Sequence, residues 1–107
     1  MSWQARYSAD APDRAGVEAT AGALALEFGT DWCGHCQAAQ PLLRAAIEAR
    51  PDLAHVKVED GKGRPLGRSF GVKLWPTLVV LRDGVEVARV TRPGSVADVA
   101  RALAALD

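Results

Sequence analysis

The chain is short of cysteine. Among its 107 residues there are two, Cys33 and Cys36, separated by Gly34 and His35. Two cysteines cannot build the disulfide framework of a small secreted fold. A loop of two intervening residues also restricts the unfolded chain very little, so a bond between them adds little stability. Charge of one sign is missing too. Thirteen Lys and Arg stand against thirteen Asp and Glu, a formal net charge of +0. That removes the electrostatic case for a nucleic acid or an anionic membrane as partner. No apolar run approaches the ~20 residues that a membrane span needs. Residues 1–16 lack the apolar centre of a secretory signal, so a cytoplasmic protein is expected. No repeat, low-complexity tract or long linker divides the chain, and residues 1–107 are expected to form one domain around one core.

What is present is ordinary for a globular protein, 49% hydrophobic and 24% charged. Residues 8–13 read as a helix start, with Asp10 as a cap, Pro12 in the first turn and Asp13 as a favourable charge. The helix is expected to end near Thr20. Leu24, Leu26 and Phe28 alternate as one face of a strand. After Cys33 the period becomes helical, with Ala39, Leu42, Leu43, Ala46 and Ile47 as a buried stripe and Pro41 as a kink inside it. Residues 53–58 form a second strand, and 61–71 are turn-rich with room for a short helix. Residues 77–81 are nearly all apolar, as in a strand covered on both faces. Asp83-Gly84 signals a tight hairpin into a strand at 85–90. Ser95 and Asp98 resemble a capping box for a last helix with the stripe Val96, Val99, Ala100, Leu103 and Leu106. The order predicts an α/β architecture: a central mixed sheet of four to five strands with helices on both faces. Residues 3–7 are expected to add an edge strand.

The cysteine pair carries the chemistry. Cys33 falls at the start of a helix, where unpaired backbone N–H groups and the positive dipole end favour a thiolate. The thiolate is the attacking species in thiol–disulfide exchange. Cys36 lies one turn later, close enough to close a disulfide but less exposed, which suits attack by Cys33 and resolution by Cys36. Gly34 either relaxes the turn or leaves the approach to Cys33 clear. His35 either places positive charge near the Cys33 thiolate, making the disulfide a better oxidant, or is a solvated residue of the first turn. Metal is the rival reading, but one pair plus the distant His55 falls short of four ligands unless a dimer shares the site. Covalent haem attachment is excluded because position 37 is Gln rather than His.

These elements together resemble the thioredoxin family from about residue 10 to the end. Trp32-Cys33-Gly34-His35-Cys36 follows a Leu-rich strand, and Pro41 falls where that family kinks its active-site helix. Trp75-Pro76-Thr77 resembles the family's cis-proline loop, and Asp83-Gly84 its hairpin turn. The resemblance implies a thioredoxin fold and a thiol–disulfide oxidoreductase without a cofactor. Cys33 would be the nucleophile, Cys36 the resolving thiol, and His35 would tune the thiolate. Glu27 would be a buried acid of raised pKa that accepts the Cys36 proton, and Lys57 a lysine pairing with that acid. Trp32, Gly34, Trp75 and a cis Pro76 would form the substrate surface, while Trp3, Tyr7, Phe28 and Phe70 would pack. The implied partners are protein disulfides or dithiols and a thioredoxin-reductase-type electron donor, with the chain acting as a monomer.

Four positions depart from the ordinary family pattern. Gly-His between the cysteines and Glu at position 27 are similar to protein disulfide isomerase domains. Trp75 replaces a small or aliphatic residue, and the glycine expected near Arg92 is displaced to Gly94. The rivals are a non-catalytic binding or chaperone module of the same fold, and a metal held across a dimer by the two cysteines.

Overall fold

The computed structural model describes residues 3–107. Four strands form one mixed sheet in the order β2-β1-β3-β4: β1 (Ala23–Gly29), β2 (Ala54–Glu59), β3 (Thr77–Arg82) and β4 (Val85–Thr91). β1 pairs parallel to β2 and antiparallel to β3, which joins β4 through the hairpin. The helices are α1 (Arg14–Glu18), α2 (Gly34–Glu48), α3 (Pro65–Ser69) and α4 (Val96–Leu103), followed by a 3-10 turn at Ala104–Leu106.

Alternation along the strands divides the core in two. Leu24, Leu26, Phe28, Val79 and Leu81 face α1 and α3 and meet Val17, Leu66 and Phe70. Ala25, Leu78 and Val80 face α2 and α4 and meet Leu43, Ile47, Val99 and Leu103. β1 and β3 are buried on both faces, which explains their near-continuous apolar sequence. One polar residue breaks that run: Glu27, on the α2 face, with no exposed surface.

Several local details differ from the sequence expectations. Asp13 rather than Asp10 caps α1, accepting from the Gly16 N–H at 2.8 Å, so Pro12 precedes the cap. In α4 the buried positions are Val99, Ala102 and Leu103; Val96 and Ala100 are exposed, because Val96 is the first helical residue and stands at the rim. Residues 3–7 form no strand. The segment touches β2 by a single parallel bridge, Ser8 to Val58, and is otherwise held by side chains. Its ladder fails because its polar atoms are engaged elsewhere: Gln4 N–H with His55, the Ala5 carbonyl with Lys57, and Tyr7 N–H with Asp31.

The hairpin turn is pinned to α1. Asp83 and Gly84 have φ of 49° and 79°, as a two-residue turn of this hand requires. A Cβ on Gly84 would stand 2.1 Å from the Glu18 carbonyl oxygen. Gly84→Ala therefore combines a left-handed backbone penalty with a backbone clash. It should lower the unfolding free energy by about 2 kcal/mol or more. Urea denaturation checks this, and a variant within about 0.5 kcal/mol of wild type would show that the turn does not bear on α1 as described.

Candidate active site

Cys33 is the N-cap of α2, in extended conformation, and its Sγ accepts a hydrogen bond from the Cys36 N–H at 3.3 Å. A sulfur here takes the place of the oxygen that normally satisfies an orphan N–H at a helix start. It retains 9% of its surface, whereas Cys36 retains 1%. Both are free thiols. Burial, aided by the hydrogen bond with Cys33, pushes the Cys36 thiol up to about 11. The two sulfurs of one motif are thus unlike: one keeps a small exposed surface and accepts a helix N–H, and one lies fully buried behind it with its thiol pKa raised.

The ring of Trp32 is 73% exposed and meets Trp75 edge to face, with centroids 5.8 Å apart. Trp75 packs against the cluster of Tyr7, Cys33 and Cys36. Its indole N–H donates to Asp60 at 2.8 Å. The Trp75–Pro76 peptide bond is cis. A Cβ added to Gly34 would meet no protein atom within 4 Å, so the space above the first turn of α2 is open. His35 lies exposed on that turn, and its ring makes no hydrogen bond among the described residues. The structure does not draw it onto Cys33. Arg92 takes φ of 50°, in the left-handed region that favours glycine, and its Nε donates to the Trp75 carbonyl at 2.8 Å.

Behind the cysteines lies a buried polar network. The Glu27 carboxylate accepts from His55 Nε2 at 2.9 Å, from Gln40 Nε2 at 3.0 Å and from the Tyr7 hydroxyl in a short hydrogen bond. His55 Nδ1 accepts from the Gln4 backbone N–H at 2.9 Å. That contact orients the ring so that Nε2 faces the Glu27 carboxylate. Burial opposes ionisation of Glu27, but the hydrogen bonds from His55 and Tyr7, the charge interaction with His55 and the bond from Gln40 outweigh it and hold the carboxyl below its ordinary value. The expected raised value is thus corrected: burial acts as anticipated, and the donors around the group reverse the sign.

Lys57 is opposite Glu27 in the β1–β2 register but does not touch it. Its Nζ donates to the Gln40 Oε1 at 2.6 Å and to the Ala5 carbonyl at 2.9 Å. Gln40 therefore stands between the two charges, and the direct ion-pair expectation gives way to a bridge. Burial lowers the Lys57 pKa, partly offset by Glu27, Asp31 and Cys36.

The sequence reading missed three members of this network. From sequence Tyr7 reads as packing, His55 only as a distant metal ligand, and Gln40 as neither. A signal existed for two of them. His55 and Lys57 are two apart on a strand and so share the face of Glu27, and Gln40 is one helical turn beyond Cys36. Tyr7 has no such signal, because it reaches the site from an irregular segment.

A sequence model of the family described as Thioredoxin matches residues 11–105. The chain is similar to thioredoxin 2 from Pseudomonas aeruginosa PAO1, whose structure is of the reduced form. Identity is 60% and the TM-score 0.87, over 97% of this chain and 96% of that one. It is 32% identical over 69 residues to the chloroplastic thioredoxin F-type of Brassica napus, covering 64% of this chain and 38% of the relative. It is 41% identical over 66 residues to protein disulfide-isomerase A2 of Pongo abelii, covering 58% and 13%. The chain thus spans well under two thirds of the length of the latter two. No helix among the described residues is long and apolar enough to cross a membrane.

The network sets a pH dependence. Glu27 is lowered on folding, so its contribution to stability is present above the ordinary carboxyl value of 4.5 and is lost as pH falls through its own lower value. Cys36 is raised, so its contribution is complete below the ordinary thiol value of 9.0 and is lost as pH rises through about 11. Glu27→Gln should flatten the acid side of the stability profile and leave the alkaline side in place. Denaturation midpoints from pH 3 to 11 measure both, and an unchanged acid side in the variant would remove Glu27 from the account.

Proposed function

This chain belongs to the thioredoxin family, and on that basis we propose that it is a thiol–disulfide oxidoreductase working through Cys33 and Cys36, chiefly as a protein disulfide reductase. The observation that carries the reading is the asymmetry of the pair. Cys33 accepts from a helix N-terminal N–H and keeps 9% of its surface, while Cys36 keeps 1% and has its pKa pushed up to about 11.

The Cys33 thiolate attacks one sulfur of a protein disulfide. A Cys33–substrate bond forms, and the other substrate sulfur leaves as a thiolate that takes a proton from solvent. Cys36 then loses its proton and attacks the Cys33 sulfur. The Cys33–substrate bond breaks, the second substrate thiolate departs, and a Cys33–Cys36 disulfide remains. The substrate gains two electrons and the couple loses two. An electron donor of the thioredoxin-reductase type returns them. Glu27, ionised through the neutral range, accepts the Cys36 proton. Lys57, bridged by Gln40, holds positive charge near that carboxylate. His35 acts by adding positive charge outside Cys33 when protonated.

The proposed substrate surface is Trp32, Gly34, Trp75 and Pro76. It is supported by the exposure of Trp32 and by the open space over Gly34. Two tryptophan faces beside a reactive sulfur suit an apolar stretch of an extended polypeptide. The setting we propose is a reducing cytoplasm, where neither cysteine is spent on structure and the couple is kept reduced. There the chain acts as a single-domain monomer.

A trapping experiment tests the order of events. With Cys36→Ser, a disulfide-bearing protein such as insulin should accumulate as an adduct linked through Cys33, detectable by mass. Cys33→Ser should form none. Removing both thiols should abolish insulin reduction, lowering the rate at least a hundredfold, as expected for loss of a nucleophile. Adducts at Cys36 in the reverse variant, or activity surviving without either thiol, would overturn the reading in favour of a binding module.

A further inference from the structure

We propose that Tyr7 is the relay through which Cys36 gives up its proton to Glu27. The inference rests on the oxidoreductase reading above and adds a residue to its second step.

Tyr7 is almost entirely buried and shares a cluster with both cysteines. Its hydroxyl has one proton, and that proton is donated to Glu27 Oε2. The phenolic oxygen therefore presents lone pairs to its other neighbours. One is Gln40 Nε2, at 3.4 Å. Another is Cys36, as the position of Gly29 shows. A Cβ built on Gly29 would stand 2.6 Å from Cys36 Sγ and 2.8 Å from the Tyr7 oxygen. Glycine leaves that point empty, and the Cys36 sulfur and the Tyr7 hydroxyl both border it. Glu27 has its hydrogen bonds from His55, Gln40 and Tyr7, and none from Cys36. Of these three, only Tyr7 carries a proton that can move to the carboxylate and be replaced from the Cys36 side.

The step balances without a further reactant. The Cys36 S–H proton passes to the Tyr7 oxygen while the Tyr7 hydroxyl proton passes to Glu27 Oε2. Tyr7 begins and ends neutral, Glu27 becomes the neutral acid, and Cys36 becomes the thiolate that attacks the Cys33 sulfur. At rest the proton stays on Cys36, because the thiol is raised and the carboxyl lowered. Transfer is therefore coupled to S–S bond formation, which removes the basicity of the attacking sulfur. Tyr7 cannot itself ionise to act as the base, since burial and the neighbouring Glu27 push its pKa far upward. A cleft of about 170 Å³, bordered by Tyr7, Cys36, Gln40 and Lys57, lets Glu27 return its proton by the same route after turnover.

The charged groups bearing on Tyr7 come from every element around it. Glu27 is on β1, Cys36 and the Cys33 cap belong to α2, and Lys57 on β2 lies 4.2 Å above its ring. Asp31, in the loop before α2, accepts from the Tyr7 backbone N–H at 3.1 Å.

Ellman's reagent, an aromatic disulfide with a coloured leaving thiolate, separates the two steps. The first release of colour follows attack by Cys33, and the second follows resolution by Cys36. Tyr7→Phe keeps the ring and removes only the hydroxyl. At pH 7 its second phase should slow at least tenfold, with the deficit concentrated there and shrinking as pH rises toward Cys36 ionisation. A second phase within twofold of wild type overturns the relay. So does an equal slowing of both phases at all pH, which marks a packing role. In the unaltered protein, the second-phase rate in H₂O–D₂O mixtures should curve with deuterium fraction, since two protons are in flight. A straight line overturns the proposal even if the variant does not fold. Failure of the underlying reading looks different: a second phase that persists in Cys36→Ser means Cys36 is not the resolving thiol.

Discussion

A carboxylate with no exposed surface sits in the second strand from the sheet's parallel edge, and much of the site is arranged to keep it ionised. Leaving such a group unpaired would cost several kcal/mol. Glu27 is solvated instead by three donors from three separate parts of the chain: His55 on β2, Gln40 on α2 and Tyr7 in the N-terminal segment. The hydrogen bond from Gln4 orients His55 so that its Nε2 faces the carboxylate. Lys57 supplies the positive charge at one remove, through Gln40. The arrangement resembles a small piece of solvent built from side chains, with a lysine at its outer edge.

That requirement reaches the two cysteine sulfurs through α2. Gln40 follows Cys36 by one turn and donates to its carbonyl at 3.0 Å as well as to Glu27. The helix whose N-terminus cradles Cys33 is therefore tied to the carboxylate behind Cys36. The N-terminal segment is tied to it as well. Gln4, Ala5 and Tyr7 are held by His55, Lys57 and Asp31. This is why a segment without a strand ladder nevertheless has a defined place. Its backbone groups serve the site rather than the sheet, and the single bridge at Ser8 is what remains of sheet pairing.

The legible and illegible parts of the sequence divide along physical lines. The β1 alternation, the α2 stripe and the Asp83-Gly84 turn depend on short-range periodicity, and each element appears close to its expected place. Cys33 and Cys36 were legible because their spacing is itself the chemistry. The sign of the Glu27 shift was not, because it depends on donors 20 and 28 residues away that no local pattern reports. Tyr7 was the hardest to read. An aromatic in an irregular segment is packing by default, and only the tertiary structure shows its hydroxyl committed to a carboxylate. Gly29 is similar: at the end of a strand it reads as a turn residue, whereas its missing Cβ is what admits both the phenol and the sulfur.

The same division separates two kinds of variation available to the site. The outer face is made of groups that touch little: Trp32, Gly34 and exposed His35 can change without disturbing any buried bond. Arg92 and Trp75 are more constrained, since Arg92 holds the Trp75 carbonyl and Trp75 holds Asp60. The inner face is different in kind. Substituting any one of Glu27, His55, Gln40 or Tyr7 leaves a buried polar partner unsatisfied, and each such loss costs about 1–3 kcal/mol. Single outer residues can therefore be replaced without unsettling the interior. The inner residues are coupled through shared hydrogen bonds, so a single replacement there is felt by its partners, and a change that keeps every buried polar group satisfied requires several residues to change together.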